Sequence, residues 1–372
     1  MLQVTPYPID RPSSYWPGFY VISGLIVLFP SSVTAFRVVV LLAFIFGAYV
    51  MRSHFARKDL AKLSPLLLFT FFPFWFAIDR GNYGWIFGSL LVSLATTKSA
   101  RSQRYWIIAV AISLKFPLAV FGLLFFADGS WKAKFKELSK FFGIFVFLNF
   151  LFPMLQWSGA QYWPKTVLRV QGLMPGESNI GVTSDDFNLY TRSDIHAFLT
   201  SFQRLSFLGE SNLIAFKSIL VAIVVLIILL SVKKLSKFGN RNWGLVELSV
   251  FAACVSVLLS PFSFTYGLMA LLVPIVLLLS TQGDAVRFRN TYLVLLATSS
   301  VPNAIPLRAM CELLFQPIEG SMNVDFPDLG NFLIPVSLIT MLLLAVYSAV
   351  LSYLSTRETQ DIPVEVSADQ LR

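Results

Sequence analysis

The chain alternates long apolar runs with short polar gaps, and the runs are too continuous for the half-buried helices or strands of a soluble domain. They lie near residues 15–29, 33–51, 64–78, 84–97, 105–126, 141–157, 213–232, 245–259, 265–280, 292–315 and 332–353. Read in order, they predict an all-α, polytopic membrane protein with about eleven transmembrane or half-membrane helices. The first run opens on Tyr15-Trp16-Pro17 and stops at Pro30-Ser31-Ser32, so it is expected in the interface. The run 105–126 is interrupted by Lys115-Phe116-Pro117. Proline cannot donate to the preceding turn, and the residue before it avoids helical geometry. The expected result is a bent hairpin with two arms of about ten residues, about 15 Å each. Residues 1–353 then form one membrane domain, residues 158–212 an outer loop, and 354–372 a polar tail.

Charge supplies the direction. Basic residues gather in alternate gaps: Arg52, Arg57, Lys58 and Lys62; Lys98, Arg101 and Arg104; Lys132, Lys134, Lys136 and Lys140; Lys233, Lys234, Lys237 and Arg241; Arg287 and Arg289. Such clusters belong on the cytoplasmic side. A single straight span over 105–126 would put the four lysines of 132–140 outside, so the bend at Lys115 is what reconciles them with the rule. The C-terminus comes out cytoplasmic, and the expected location is the cell membrane.

Composition agrees, with 56% hydrophobic residues, 13% charged residues and a mean hydropathy of +0.70. The net charge of +9 sits in short gaps between apolar runs and forms no stripe, which argues against a nucleic-acid partner. Cys254 and Cys311 both lie in apolar surroundings, and no Cys/His cluster has metal spacing. No disulfide framework, metal or cofactor is expected. The N-terminus lacks the basic, apolar and small-residue regions of a signal peptide.

No Walker loop, dinucleotide fingerprint, HExxH or GxSxG occurs, so nucleotide hydrolysis and serine or zinc hydrolysis are unsupported. The remaining polar groups converge on the outer ends of the runs. Asp79, Arg80 and Asn82 form a charged knot between 64–78 and 84–97, Lys115 stands at the bend, and Asp185, Asp186 and His196 lie in the outer loop. Ionisable groups at such depth usually mark a substrate path. Arg80 and Lys115 suit a phosphate, one by a bidentate fork and one as a point charge, while a carboxylate suits proton removal from a hydroxyl. Each has a plainer explanation: Asp79 pairing with Arg80, Lys115 snorkelling to water, and adjacent acids forming a solvated face. Gly84, Gly88, Ser89 and Ser93 form a small-residue stripe for close helix packing.

In order along the chain, Tyr15-Trp16-Pro17, Asp79-Arg80-Gly81-Asn82, Leu114-Lys115-Phe116-Pro117-Leu118, Trp131-Lys132 and Leu259-Ser260-Pro261 resemble the landmarks of glycosyltransferase family 87, over about residues 10–281. The resemblance implies a GT-C fold and inverting transfer of a mannose-like hexose from a polyprenyl-phosphate donor to a glycolipid or polysaccharide acceptor on the outer face. It assigns donor-phosphate contacts to Lys115, Arg80 and Asn82, and sugar or acceptor contacts to Asp186 and His196. Asn82 replaces the glutamine common in the family. GT-C enzymes usually carry their catalytic Asp in an outer loop ahead of the position of Tyr15, where this chain offers only Asp10. Asp79 and Asp10 are therefore the expected catalytic carboxylates, and the expectation is a chain that starts upstream of Met1 or a copy that transfers poorly.

Two other classes remain open on the residues. An O-antigen-type polymerase or ligase shares the outer loop and the polyprenyl-linked substrate. A lipid or glycan transporter or flippase would use short broken helices to line a path, although no inverted repeat is visible.

Overall fold

Proline and glycine positions set the first elements. Helix α1 (Ser32–His54) carries neither proline nor any charge between Arg37 and Arg52, and its 23 residues reach about 35 Å, against about 30 Å for a hydrocarbon layer. Among the described residues it is the one helix long and apolar enough to cross a membrane. Val33, Phe36, Leu41, Leu42, Ile45 and Tyr49 on it are exposed. The run expected as one ascending segment over 64–78 is instead two helices, α2 (Ser64–Thr70) and α3 (Phe72–Asp79). Pro73 has no N–H to give to the Phe69 carbonyl four residues earlier. The Trp75 indole takes that carbonyl instead, Nε1 donating at 2.7 Å, so the break leaves it satisfied.

The structure is a computed structural model, which describes residues 32–55, 64–79, 82–97, 99–126, 131–151, 245–258, 265–280, 289–300 and 343–347. Every regular element among them is helical. After α3 come α4 (Tyr83–Ala95), a single 3-10 turn (Arg101–Gln103), α5 (Arg104–Leu114), a longer 3-10 helix (Phe116–Phe126), α6 (Trp131–Val146) and a π-helical turn (Phe147–Leu151). Later in the chain lie α7 (Leu245–Leu258), a second longer 3-10 segment (Thr265–Leu271), α8 (Leu272–Ser280) and α9 (Arg289–Ser300). The expected outer loop 158–212, the run 213–232, the expected acidic turn after 315 and the tail 354–372 lie outside the described residues.

The core is built around α4. Its Trp85, Ile86 and Leu90 are fully buried, and α4 packs on α1, α3, α5, α8 and both longer 3-10 segments. At Gly88 an added Cβ would sit 2.5 Å from Leu118 Cδ1 and 3.3 Å from the Ala111 carbonyl, so a larger residue would require the Leu118 side chain to turn away and the hairpin of α5 and the 3-10 helix Phe116–Phe126 to ease back by a few tenths of an ångström. The small-residue stripe is thus a packing face, at least at Gly88. Helix α7 lies along that 3-10 helix and is buried along nearly its whole length, including Cys254.

The run 105–126 does fold back on itself. Helix α5 ends at Leu114, Lys115 is extended at φ −151° and ψ 105°, and the 3-10 helix follows at once. Eleven residues give α5 about 16 Å of length, half a hydrocarbon layer. Arg104, the first residue of α5, is buried and donates from Nη1 to the Leu124 carbonyl at 3.1 Å. The two arms therefore begin and finish at one level, with Lys115 at the apex.

Candidate active site

The two ends of α4 are finished differently. At its C-terminal end each of the last carbonyls has a side-chain donor: Thr96 Oγ1 to Ser93 at 2.6 Å, Thr97 Oγ1 to Leu94 at 2.8 Å, and Arg104 Nε to Ala95 at 3.1 Å. The His54 ring reaches the same Ser93 carbonyl from the end of α1, at 2.9 Å through Nε2. The Ser93 and Leu94 carbonyls also accept the N–H groups of Thr96 and Thr97, at 3.1 and 3.0 Å, so the side chains add to a tightened last turn. Arg104 also suits the negative end of the helix dipole. The sequence counts Arg104 with the basic loop 98–104, but its guanidinium is an internal clamp on two helix ends.

The other end of α4 faces the apex. The Asn82 N–H donates to the Ala77 carbonyl at 2.8 Å, a six-residue closure that ends α3 and turns the chain at once. The sequence mark of that closure is a glycine just before its last residue, here Gly81. Asn82 is buried at the start of α4, and its carbonyl accepts from Trp85 N–H at 3.1 Å. Lys115 comes to this place from the other hairpin, its Nζ 5.9 Å from the centre of the Trp85 ring, within cation–π range. The start of α4 at Asn82 and the bend at Lys115, far apart in the chain, thus both reach Trp85.

A third element closes the apex. Beyond α6 the π turn buries Asn149, whose Nδ2 donates to Ser113 Oγ at 2.8 Å and to the Phe145 carbonyl at 2.9 Å. Ser113 lies two residues before Lys115 and donates from Oγ to the Ala109 carbonyl at 2.8 Å. π turns often occur at functional sites. Asn149 and Trp85 lie inside apolar runs, and only their hydrogen-bonding atoms, an amide and an indole N–H, distinguish them there.

Of the residues expected to act, Lys115 and Asn82 both approach Trp85, Lys115 over its ring and Asn82 through its backbone carbonyl. Asp79 closes α3, but its side chain lies outside the described residues, as do Arg80, Asp10, Asp186 and His196. Among the described residues no group of three or more His, Cys, Asp or Glu could hold a metal ion.

A lysine at the tip of a helical hairpin, over the ring of the buried Trp85, marks an interior apex in a protein whose described residues form only helices. The family model for Glycosyltransferase family 87 matches residues 14–261, and the chain belongs to that family. It is therefore a glycosyltransferase, acting on a sugar donor and an acceptor. Members of the family are membrane proteins, and α1 fits that setting. No match is found among the curated proteins or the solved structures.

Proposed function

We propose that the protein is a multi-pass GT-C-type enzyme of the cell membrane. In this reading it moves a mannose-like hexose from a polyprenyl phosphate to a glycolipid or polysaccharide acceptor on the outer face. The observation that carries this is Lys115, set at the apex of two half-length arms and within cation–π range of Trp85. A lysine within an apolar, membrane-embedded run is costly in lipid and usually marks a substrate path, and the phosphate of a membrane-borne donor suits its charge. Lys115, Arg80 and Asn82 hold that phosphate. Asp79 or Asp10 takes the proton from the acceptor hydroxyl, and Asp186 and His196 contact sugar or acceptor. The exposed apolar face of α1 supports a lipid setting, because so many large side chains open to water on one helix would be an aggregation hazard in a soluble protein.

The donor class is tested with membranes containing the full chain, given labelled sugar either on a polyprenyl phosphate or on a nucleotide. Transfer from the lipid donor alone, insensitive to chelator, is the expected result. Transfer from the nucleotide sugar with no lipid carrier would overturn the reading, and movement of the intact lipid-linked sugar without bond cleavage would favour a flippase.

Residues 98–104 and 132–140 share the cytoplasmic side in this reading, and residues 1–353 act as one domain with the tail 354–372 inside. The tie between Arg104 and Leu124 supports it. Ser102 and Ala133 are exposed, so cysteines placed there test it. In intact cells Ser102→Cys and Ala133→Cys should both resist a membrane-impermeant thiol reagent while Ser178→Cys reacts. Labelling of Ala133→Cys alone would replace the hairpin with one straight span.

A further inference from the structure

Two polar atoms beside the apex have no partner. Trp85 Nε1 and Ser89 Oγ are both buried and neither makes a hydrogen bond. They stand four residues apart on α4, hence on one face, and Gly88 between them packs on the hairpin that carries Lys115. Leaving a buried donor unmet is costly, which is why such groups are rare in folded proteins and call for a reason. Other buried serines of the helices, Ser249 and Ser256, bond back to a carbonyl of their own helix at 2.7 and 2.8 Å, so the unpartnered Ser89 is a departure from the local habit.

The chemistry of the set points to one kind of ligand. An indole N–H and an ammonium are donors only, and the hydroxyl donates as well. Such a set matches a group that only accepts, the ionised phosphate, better than a sugar hydroxyl, which would bring donors of its own. We propose that Trp85 and Ser89 are a donor subsite for the carrier phosphate as it becomes the leaving group, a proposal that rests on the polyprenyl-phosphate reading. The acceptor oxygen bonds to C1 of the sugar, the bond from C1 to the phosphate oxygen breaks, and its electron pair stays on that oxygen. The acceptor proton goes to the carboxylate base. A phosphate diester with one negative charge becomes a monoester with two, so donors that meet the second charge favour the transition state over the bound donor.

The test uses the full chain in membranes, with farnesyl phosphate as a short carrier phosphate and a polyprenyl-phosphate sugar as donor. Trp85→Phe keeps the ring and removes the N–H; Ser89→Ala removes only the hydroxyl. Each should lower kcat about tenfold with KM for the donor changed less than about twofold, and weaken inhibition by farnesyl phosphate about tenfold. The thermal midpoint should rise, because an unmet buried donor has been removed. Unchanged kcat and inhibition, or a midpoint that falls together with transfer, would overturn the subsite. Lys115→Ala is run alongside. If it abolishes donor use while both conservative variants behave as the unmodified chain, the subsite alone fails; if none of the three has any effect, the donor reading fails first.

Discussion

Lys115→Ala should lower sugar transfer at limiting donor by about tenfold to a hundredfold, the loss of one charged hydrogen bond of about 1.5–3 kcal/mol. Lys115 stands where α5 stops, its N–H still bonded to the Ala111 carbonyl at 3.0 Å and its own carbonyl accepting from Leu118 N–H at 3.1 Å. The backbone at the break is therefore pinned on both sides by main-chain hydrogen bonds. Removing the side chain takes away a charge without removing a turn, so the protein should still fold and reach the membrane. Lys115→Arg should rescue only in part, since a planar fork cannot place its charge where a point ammonium sat. The measurement is transfer per unit of membrane protein across donor concentrations. Unchanged transfer by Lys115→Ala at limiting donor would remove Lys115 from the site.

Arg104→Met should fail chiefly in stability, by about 3–5 kcal/mol, because two carbonyls lose a charged donor at once in a buried place. Methionine keeps most of the length and apolar stem of arginine, so the comparison isolates the guanidinium. The thermal midpoint of the purified protein and its yield in membranes both report the loss. Arg104→Lys should recover part of it, holding one carbonyl at a time. A normal midpoint for Arg104→Met would mean that the bonds to Ala95 and Leu124 do not hold the hairpin together, and would weaken the case that 98–104 and 132–140 share a side.

The break at Lys115 was legible because proline acts through its own missing N–H, a local property that needs no neighbour. The same reasoning applied to Pro73 would have divided the run 64–78; its apolar continuity hid the division, and the rescue of Phe69 by Trp75 depends on a side chain finding a carbonyl six residues back. Arg104 looked like a topology signal because charge sign along the chain is all that a loop of basic residues displays. Its partners lie 9 and 20 residues away, and only folding shows that its guanidinium is shared between two helix ends. Trp85 and Asn149 were invisible for a related reason: in an apolar run an indole or a single amide adds little polarity, while its effect depends on what stands opposite.

By itself, then, the sequence determined the class of element, the bend and the ordered landmarks of the family, since hydropathy and proline geometry act over a few residues. Tertiary structure alone decided that the bend at Lys115 comes to Trp85 near the start of α4. That meeting depends on α4 and the hairpin packing face to face, which Gly88 eases by having no Cβ. It also decided that Ser89 and the Trp85 N–H go without partners, because a hydrogen bond is absent only in relation to everything that surrounds the donor.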